Sequence, residues 1–142
     1  MQKILTEIEI NVPARTVWET LVDLGSYAEW NPFIREASGQ VAVGQILTLR
    51  LFPVNGKPMT FRPRVLTADP GSELRWVGRL FVPGIFDGEH SFTLTSSTPV
   101  RTQLVQAEAF SGVLVPFTKG VINNTKTSFV ELNEALKERL ES

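Results

Sequence analysis

The stretch "GEHSFTL", Gly88 to Leu94, alternates between two kinds of side chain, which predicts a β-strand with one buried face. His90, Phe92 and Leu94 fall on the same face, and the residues between them are polar. His90 is the only histidine in the chain. The pattern therefore places a lone imidazole among apolar side chains, and the function assigned to the chain has to account for it.

Turn-forming residues on either side of this strand predict two hairpins. Pro83–Gly84 separates it from a preceding strand at 72–80, and a polar turn near Thr98 separates it from a following strand at 100–110. Short connections of this kind favour an antiparallel meander over a parallel sheet. We therefore expect the three strands to pair side by side.

The two hairpins bring a few side chains into one row across the inner face of the sheet. Trp76 is expected opposite or diagonal to His90, on the strand before it. Gln106 and Glu108 are expected opposite or diagonal to His90, on the strand after it. Directly opposed Cβ atoms lie about 5 Å apart and diagonal ones about 7–8 Å. Either Gln106 or Glu108 is therefore a candidate partner of the imidazole.

The rest of the chain predicts four more strands and three helices. The strands are expected at 3–11, 34–41, 45–53 and 58–68, and the helices at 12–24, 26–30 and 116–141. Asn55-Gly56 is the strongest short hairpin signal in the chain. The long helix is expected to turn one stripe inward, made of Val121, Thr125, Ser128, Phe129, Leu132, Leu136 and Leu140.

This long helix has two unequal halves. Its first half contains Gly120, Asn123 and Asn124, which are poor helix formers, whereas the second half, "VELNEALKERLE" from Val130, is a strong one. Such a helix must be held by packing on a broad surface, and the sheet is the candidate. We predict an α+β fold in a single domain, 1–142, with a curved antiparallel seven-stranded sheet around the C-terminal helix and two short helices closing one end.

Several motifs are spread over the whole chain. They are "VW" at Val17–Trp18, "YAEWNPFI" at Tyr27–Ile34, "WVG" at Trp76–Gly78, "GEHSFTL", "EAFSGVL" at Glu108–Leu114 and the C-terminal "FVELNEALKERLE". Together with the order of elements, these motifs resemble the START-like or SRPBCC superfamily, in its bacterial polyketide cyclase/dehydrase branch. The resemblance implies a helix-grip fold with an apolar cavity between the sheet and the long helix. The superfamily consists mostly of ligand-binding and lipid-transfer proteins, with some cyclases and other enzymes.

Small residues on the inner face also favour a cavity. Gly78 and Gly88 are expected to oppose each other, and Thr125 on the facing helix adds little volume. We therefore expect an enclosed pocket for a small hydrophobic or aromatic ligand, lipid-like or polyketide-like, with Tyr27 of the second short helix as a candidate lid. The residues predicted to bind ligand are Tyr27, Trp76, Gly78, Phe86, His90, Phe92, Gln106, Glu108, Phe110, Thr125 and Phe129.

Three functions stay open from the sequence. The first is binding of an apolar ligand, with the polar row either touching the ligand or only fixing the sheet. The second is a cyclase, dehydratase or hydrolase that uses His90 with Glu108 as a catalytic acid–base pair. Burial and a nearby charge shift the pKa of an imidazole, which suits it to this role. The third is an interaction module that modulates a partner protein, which predicts a filled core and an apolar surface patch.

Composition argues against several other classes. The net charge is −1 and no Lys/Arg cluster is present, so we expect no nucleic-acid partner. The chain has no cysteine and one histidine, and it lacks a phosphate-binding glycine loop, so we expect no metal site and no cofactor. No apolar run approaches the roughly 20 residues of a membrane span. These features predict a cytoplasmic monomer or homodimer.

Overall fold

The structure is a computed structural model that describes residues 2–80 and 84–142, so that Pro83 of the expected hairpin turn lies outside it. Over these residues the chain forms strands β1 (Gln2–Ile10), β2 (Ile34–Ser38), β3 (Thr48–Leu51), β4 (Met59–Phe61), β5 (Arg64–Asp69), β6 (Glu73–Leu80), β7 (Phe86–Thr98) and β8 (Arg101–Ser111). The α-helices are α1 (Ala14–Val22), α2 (Tyr27–Trp30) and α3 (Lys119–Glu141).

These strands form two antiparallel sheets rather than the one seven-stranded sheet expected from the sequence. One sheet has the order β1-β8-β7-β6-β5 and the other has the order β2-β3-β4. The strand expected at 58–68 is divided at Pro63 into β4 and β5, because proline lacks the N–H that a sheet ladder needs. The register of β5 on β6 also shifts between Val65 and Thr67.

The long helix α3 packs against the five-stranded sheet, and this confirms an α+β helix-grip architecture. Its buried residues are Ile122, Ser128, Phe129, Leu132, Asn133 and Leu136. The expected stripe differs at its start, where Val121 is 55% exposed and Ile122 is 4% exposed. Seven residues are close to two helical turns, so Ile122 aligns with Phe129, whereas Val121 is rotated away by about 80°.

A buried polar network fixes α3 on the sheet. The Gln106 side-chain amide donates to Asn133 Oδ1 at 2.7 Å, and the Asn133 amide donates to Thr6 Oγ1 at 2.9 Å. The Thr6 hydroxyl donates in turn to the backbone carbonyl of Gln106 at 2.8 Å. Because buried polar groups are costly when unpaired, this network favours one position of α3 across β1 and β8.

Tyr27 lies in the core and not at the surface position of a lid. Its side chain is fully buried, and its hydroxyl donates to the backbone carbonyl of Leu21 at 2.5 Å. Its ring also packs edge-on against Trp30, with the ring centroids 5.3 Å apart. Burial raises the pKa of the Tyr27 phenol above its ordinary value of 10.0, and the nearby Asp23 carboxylate raises it further.

Tyr27 should therefore stay protonated in the folded protein at pH values where an exposed tyrosine ionises. It is the only tyrosine in the chain, so an ultraviolet absorbance titration of tyrosinate reports on it alone. The folded-state pKa is raised, so the stabilisation is complete below pH 10.0 and is lost as the pH rises beyond it. We expect no ionisation of the native protein near pH 10.0, but half-complete ionisation there in denaturant. The same midpoint in both conditions would contradict this burial.

Candidate functional site

A cavity of about 250 Å³ lies between the two sheets and the first half of α3. Five aromatic residues line it: Phe33, Phe61, Trp76, Phe86 and Phe110. Among the described lining residues, only Lys57 and Glu108 carry a formal charge, and His90 is the only other titratable group. The cavity is therefore an apolar, aromatic-walled space with few polar groups, which is typical of a small-molecule site.

One row of residues crosses the wall that β6, β7 and β8 form. Trp76 pairs with His90, and His90 pairs with Glu108. The Trp76 and His90 rings are stacked, with centroids 4.9 Å apart and planes 13° from parallel. Gln106 lies opposite Phe92 instead, so Glu108 is the residue that partners the imidazole.

The hydrogen bond between His90 and Glu108 fixes the direction of the imidazole. Nδ1 of His90 lies 3.2 Å from Glu108 Oε1. A carboxylate only accepts hydrogen bonds, so Nδ1 carries the proton and donates it to Glu108. The other ring nitrogen, Nε2, is buried and has no hydrogen-bond partner among residues 2–80 and 84–142. Phe92 and Phe129 surround the ring, with centroids 4.7 and 4.8 Å from its own.

Two glycines give the cavity wall its shape. Gly78 and Gly88 are directly paired. A Cβ on Gly88 would overlap Oε2 of Glu108, so this glycine makes room for the carboxylate. A Cβ on Gly78 would overlap the Phe61 ring, which reaches across from β4 in the other sheet. The space that a side chain would occupy at each position is therefore filled by a specific neighbour.

The structure brings seven of the predicted ligand-binding residues to this cavity: Trp76, Gly78, Phe86, His90, Glu108, Phe110 and Thr125. The other four do not line it. Tyr27 is part of the core near α1, and Gln106 belongs to the network that holds α3. Phe92 and Phe129 contact the His90 ring and support it. A role in ligand binding stays a prediction for the residues that line the cavity.

Sequence reasoning missed the contribution of the three-stranded sheet. Leu49 and Leu51 of β3, Met59 and Phe61 of β4, and the loop at 53–57 all line the cavity. The alternation of Leu49 and Leu51 was visible in the sequence. Their position facing β6 was not, because it depends on the break at Pro63 that separates the sheets.

Comparison with protein families finds one match that spans nearly the whole chain. Residues 1–141 match the family described as polyketide cyclase / dehydrase and lipid transport. The protein belongs to this family. A comparison with curated proteins finds no significant match.

Three solved structures illustrate the likeness of fold. The Zhui aromatase/cyclase from Streptomyces sp. R1128 has a TM-score of 0.80 at 18% identity, over 99% of this chain and 93% of that one. Protein MLL2253 from Mesorhizobium loti has a TM-score of 0.77 at 22% identity, over 99% and 97%. A START superfamily protein from Mycobacterium smegmatis has a TM-score of 0.75 at 19% identity, over 98% and 97%. At these identities the similarity is one of fold.

Within residues 2–80 and 84–142, no helix is long and apolar enough to cross a membrane. The same residues contain no group of three or more His, Cys, Asp or Glu side chains placed to hold a metal ion.

Gly78→Ala should destabilise the protein because the added methyl group displaces the Phe61 ring from the cavity wall. Overpacking of this kind costs about 1–3 kcal/mol in the free energy of unfolding, which urea denaturation measures. Gly120→Ala is the matched control, because a Cβ there meets open space and alanine favours a helix. Equal stabilities for the two variants would show that Phe61 does not rest on Gly78.

Proposed function

We propose that this protein binds a small, flat aromatic molecule in the cavity between its two sheets and α3. The observation that carries the proposal is the aromatic-walled cavity of about 250 Å³ that contains one internal polar pair, His90 and Glu108. A cavity of about 150 Å³ lined by apolar side chains takes up benzene. The larger volume here suits a ligand of about two fused rings.

The wall chemistry supports an aromatic rather than a purely aliphatic ligand. Phe86 and Phe110 lie with ring centroids 5.6 Å apart, and Trp76 is held in place by its stacking on His90. Ring pairs in offset or edge-on contact gain about 0.5–1.5 kcal/mol beyond the area they bury. A flat ligand in contact with several of these rings gains this additional stabilisation, whereas a flexible acyl chain does not.

The interaction-module hypothesis is less well supported. It requires a filled core, whereas the space between β6, β4 and α3 is a cavity. The solved structures that resemble this chain include an aromatase/cyclase, which agrees with an aromatic ligand.

A cyclase-type enzyme is the second candidate, and the Glu108–His90 pair at the cavity wall favours it. A carboxylate held by an imidazole can take a proton from a carbon next to a ligand carbonyl. That carbon can then attack a second carbonyl of the same ligand, and Glu108 returns the proton to the alkoxide that forms. The resulting hydroxyl leaves with a neighbouring hydrogen as water, which gives the new ring a C=C bond. The largely apolar wall of the cavity surrounds such a step with few competing polar groups.

Filling the cavity from the helix should abolish ligand binding. Thr125 lines the cavity, so Thr125→Phe places a ring in the space that the ligand would occupy. We expect the affinity for 2-naphthol, measured by calorimetry, to fall at least about tenfold, or roughly 1.4 kcal/mol. Thr127→Phe is the control, because Thr127 lies on the exposed side of the same helix. Equal affinities for the two variants, or no binding to the wild-type protein, would contradict the proposal.

Proton abstraction distinguishes the enzyme from the binding protein. If Glu108 acts as a base, the wild-type protein should accelerate deuterium exchange at the methyl group of 2-acetylnaphthalene, followed by NMR in D2O. Glu108→Gln should lose about 10²–10⁴ of that acceleration while the ligand still binds. Exchange at the buffer rate, at a protein concentration where calorimetry shows 2-acetylnaphthalene bound to the wild-type protein, would remove the enzyme candidate and leave the binding function.

A further inference from the structure

We propose that the ligand presents a hydrogen-bond donor, a hydroxyl group on an aromatic ring, to the free oxygen of Glu108. This inference rests on the proposed binding function and adds the chemical class of the ligand. The inner wall of the cavity is then an acceptor site. This site selects hydroxylated aromatic molecules over those that carry only ether, carbonyl or carboxylate oxygens.

The two oxygens of Glu108 have different surroundings. Oε1 accepts the hydrogen bond from Nδ1 of His90 at 3.2 Å. Oε2 lies over Gly88, in the space that any larger residue there would fill. Within the described part of the chain, Glu108 has no other hydrogen bond or ion pair. Its second oxygen is therefore an acceptor that faces the cavity without a donor.

Burial strengthens the hydrogen bond that a ligand donor would form with this oxygen. The Glu108 side chain is only 14% exposed, and its neighbours in the cavity are largely apolar. A carboxylate in such surroundings is poorly solvated, and hydrogen bonds to a charged group are about twice as strong as neutral ones. A ligand hydroxyl would supply the donor that water supplies to an exposed carboxylate.

The neighbouring side chains determine where the ring of such a ligand would lie. Phe110 is the next inward residue after Glu108 on β8, and it pairs with Gly88 across the sheet. Phe86 packs on Phe110, so a flat ring can rest on this aromatic pair while its hydroxyl reaches Glu108. The imidazole holds Glu108 in position, because turning the carboxylate away would leave Nδ1 of His90 without an acceptor.

The same geometry disfavours an acceptor or an anion at this end of the cavity. A carbonyl or carboxylate oxygen next to Glu108 would meet another acceptor with no proton between them. The other formal charge that lines the cavity, Lys57, lies on an exposed loop between β3 and β4. An anionic group on a ligand would therefore face this loop, and the donor would face inward.

The test compares ligands that differ only at the donor. 2-Naphthol carries the hydroxyl, and 2-methoxynaphthalene keeps the oxygen but lacks the proton. We expect the wild-type protein to bind 2-naphthol at least about tenfold more tightly, as measured by calorimetry. Equal affinities of the two compounds would overturn the assignment while leaving the proposed function intact. Failure of both compounds to bind would overturn the proposed function and this assignment together.

Glu108→Gln makes the test specific to the site. His90 Nδ1 still donates to the side-chain oxygen, so the amide NH₂ group takes the place of Oε2 and turns the acceptor into a donor. We expect the preference for 2-naphthol to disappear and 2-acetylnaphthalene, which only accepts, to bind more tightly than it does to the wild-type protein.

Glu89→Gln is the matched control for the loss of charge. Glu89 lies on the same strand as His90, but its carboxylate accepts a hydrogen bond from Arg75 on the outer side of the sheet at 2.8 Å. This variant should keep the wild-type ratio of affinities. A Glu108→Gln variant with the wild-type ratio, or a Glu89→Gln variant that also loses it, would contradict a direct contact at Glu108.

Discussion

The antiparallel register of β6, β7 and β8 is the constraint on which the site depends. It pairs Trp76 with His90 and His90 with Glu108, and two residues further along it pairs Gly78 with Gly88. A slip of one residue would turn all of these groups to the opposite face of the sheet. The alternation of apolar and polar residues in these strands opposes such a slip, because it would expose the core residues and bury charged ones.

Within this register, the cavity wall has a polar pair that is only partly satisfied. Burial of a carboxylate is costly, and the hydrogen bond from His90 offsets part of that cost. A protein that used the pair only for stability would be expected to satisfy the second oxygen of Glu108 as well. The space over Gly88 instead leaves that oxygen facing the cavity, which is why we attribute ligand recognition to it.

The sequence predicted the fold well where a local pattern determined it. The alternation around His90 and the turns beside it were sufficient to predict a row of Trp76, His90 and either Gln106 or Glu108 across the inner face of the sheet. The helix-grip arrangement, including α3, was also predictable, because a long uneven helix requires a broad surface to pack on. The choice between Gln106 and Glu108 needed the observed register, which places Glu108 opposite His90 and Gln106 opposite Phe92.

Other features depend on distant contacts and were not predictable in this way. The division at Pro63 creates a second sheet, and the side of the cavity that includes Phe61 follows from it. A tyrosine can lie either at a surface or in a core. Tyr27 lies in the core because the backbone carbonyl of Leu21 accepts the hydrogen bond from its hydroxyl. The inward position of Ile122 follows from where α3 begins, and helix starts are among the least reliable features of a sequence pattern.

The protonation of the single imidazole tests the central claim most directly. Since His90 is the only histidine, a nitrogen–proton correlation NMR spectrum of the labelled protein contains one set of imidazole signals. The register and the hydrogen bond to Glu108 predict that Nδ1 carries a proton and that this proton exchanges slowly with water. An Nδ1 without a proton, or a freely exchanging one, would mean that His90 and Glu108 do not form the pair on which the site is built.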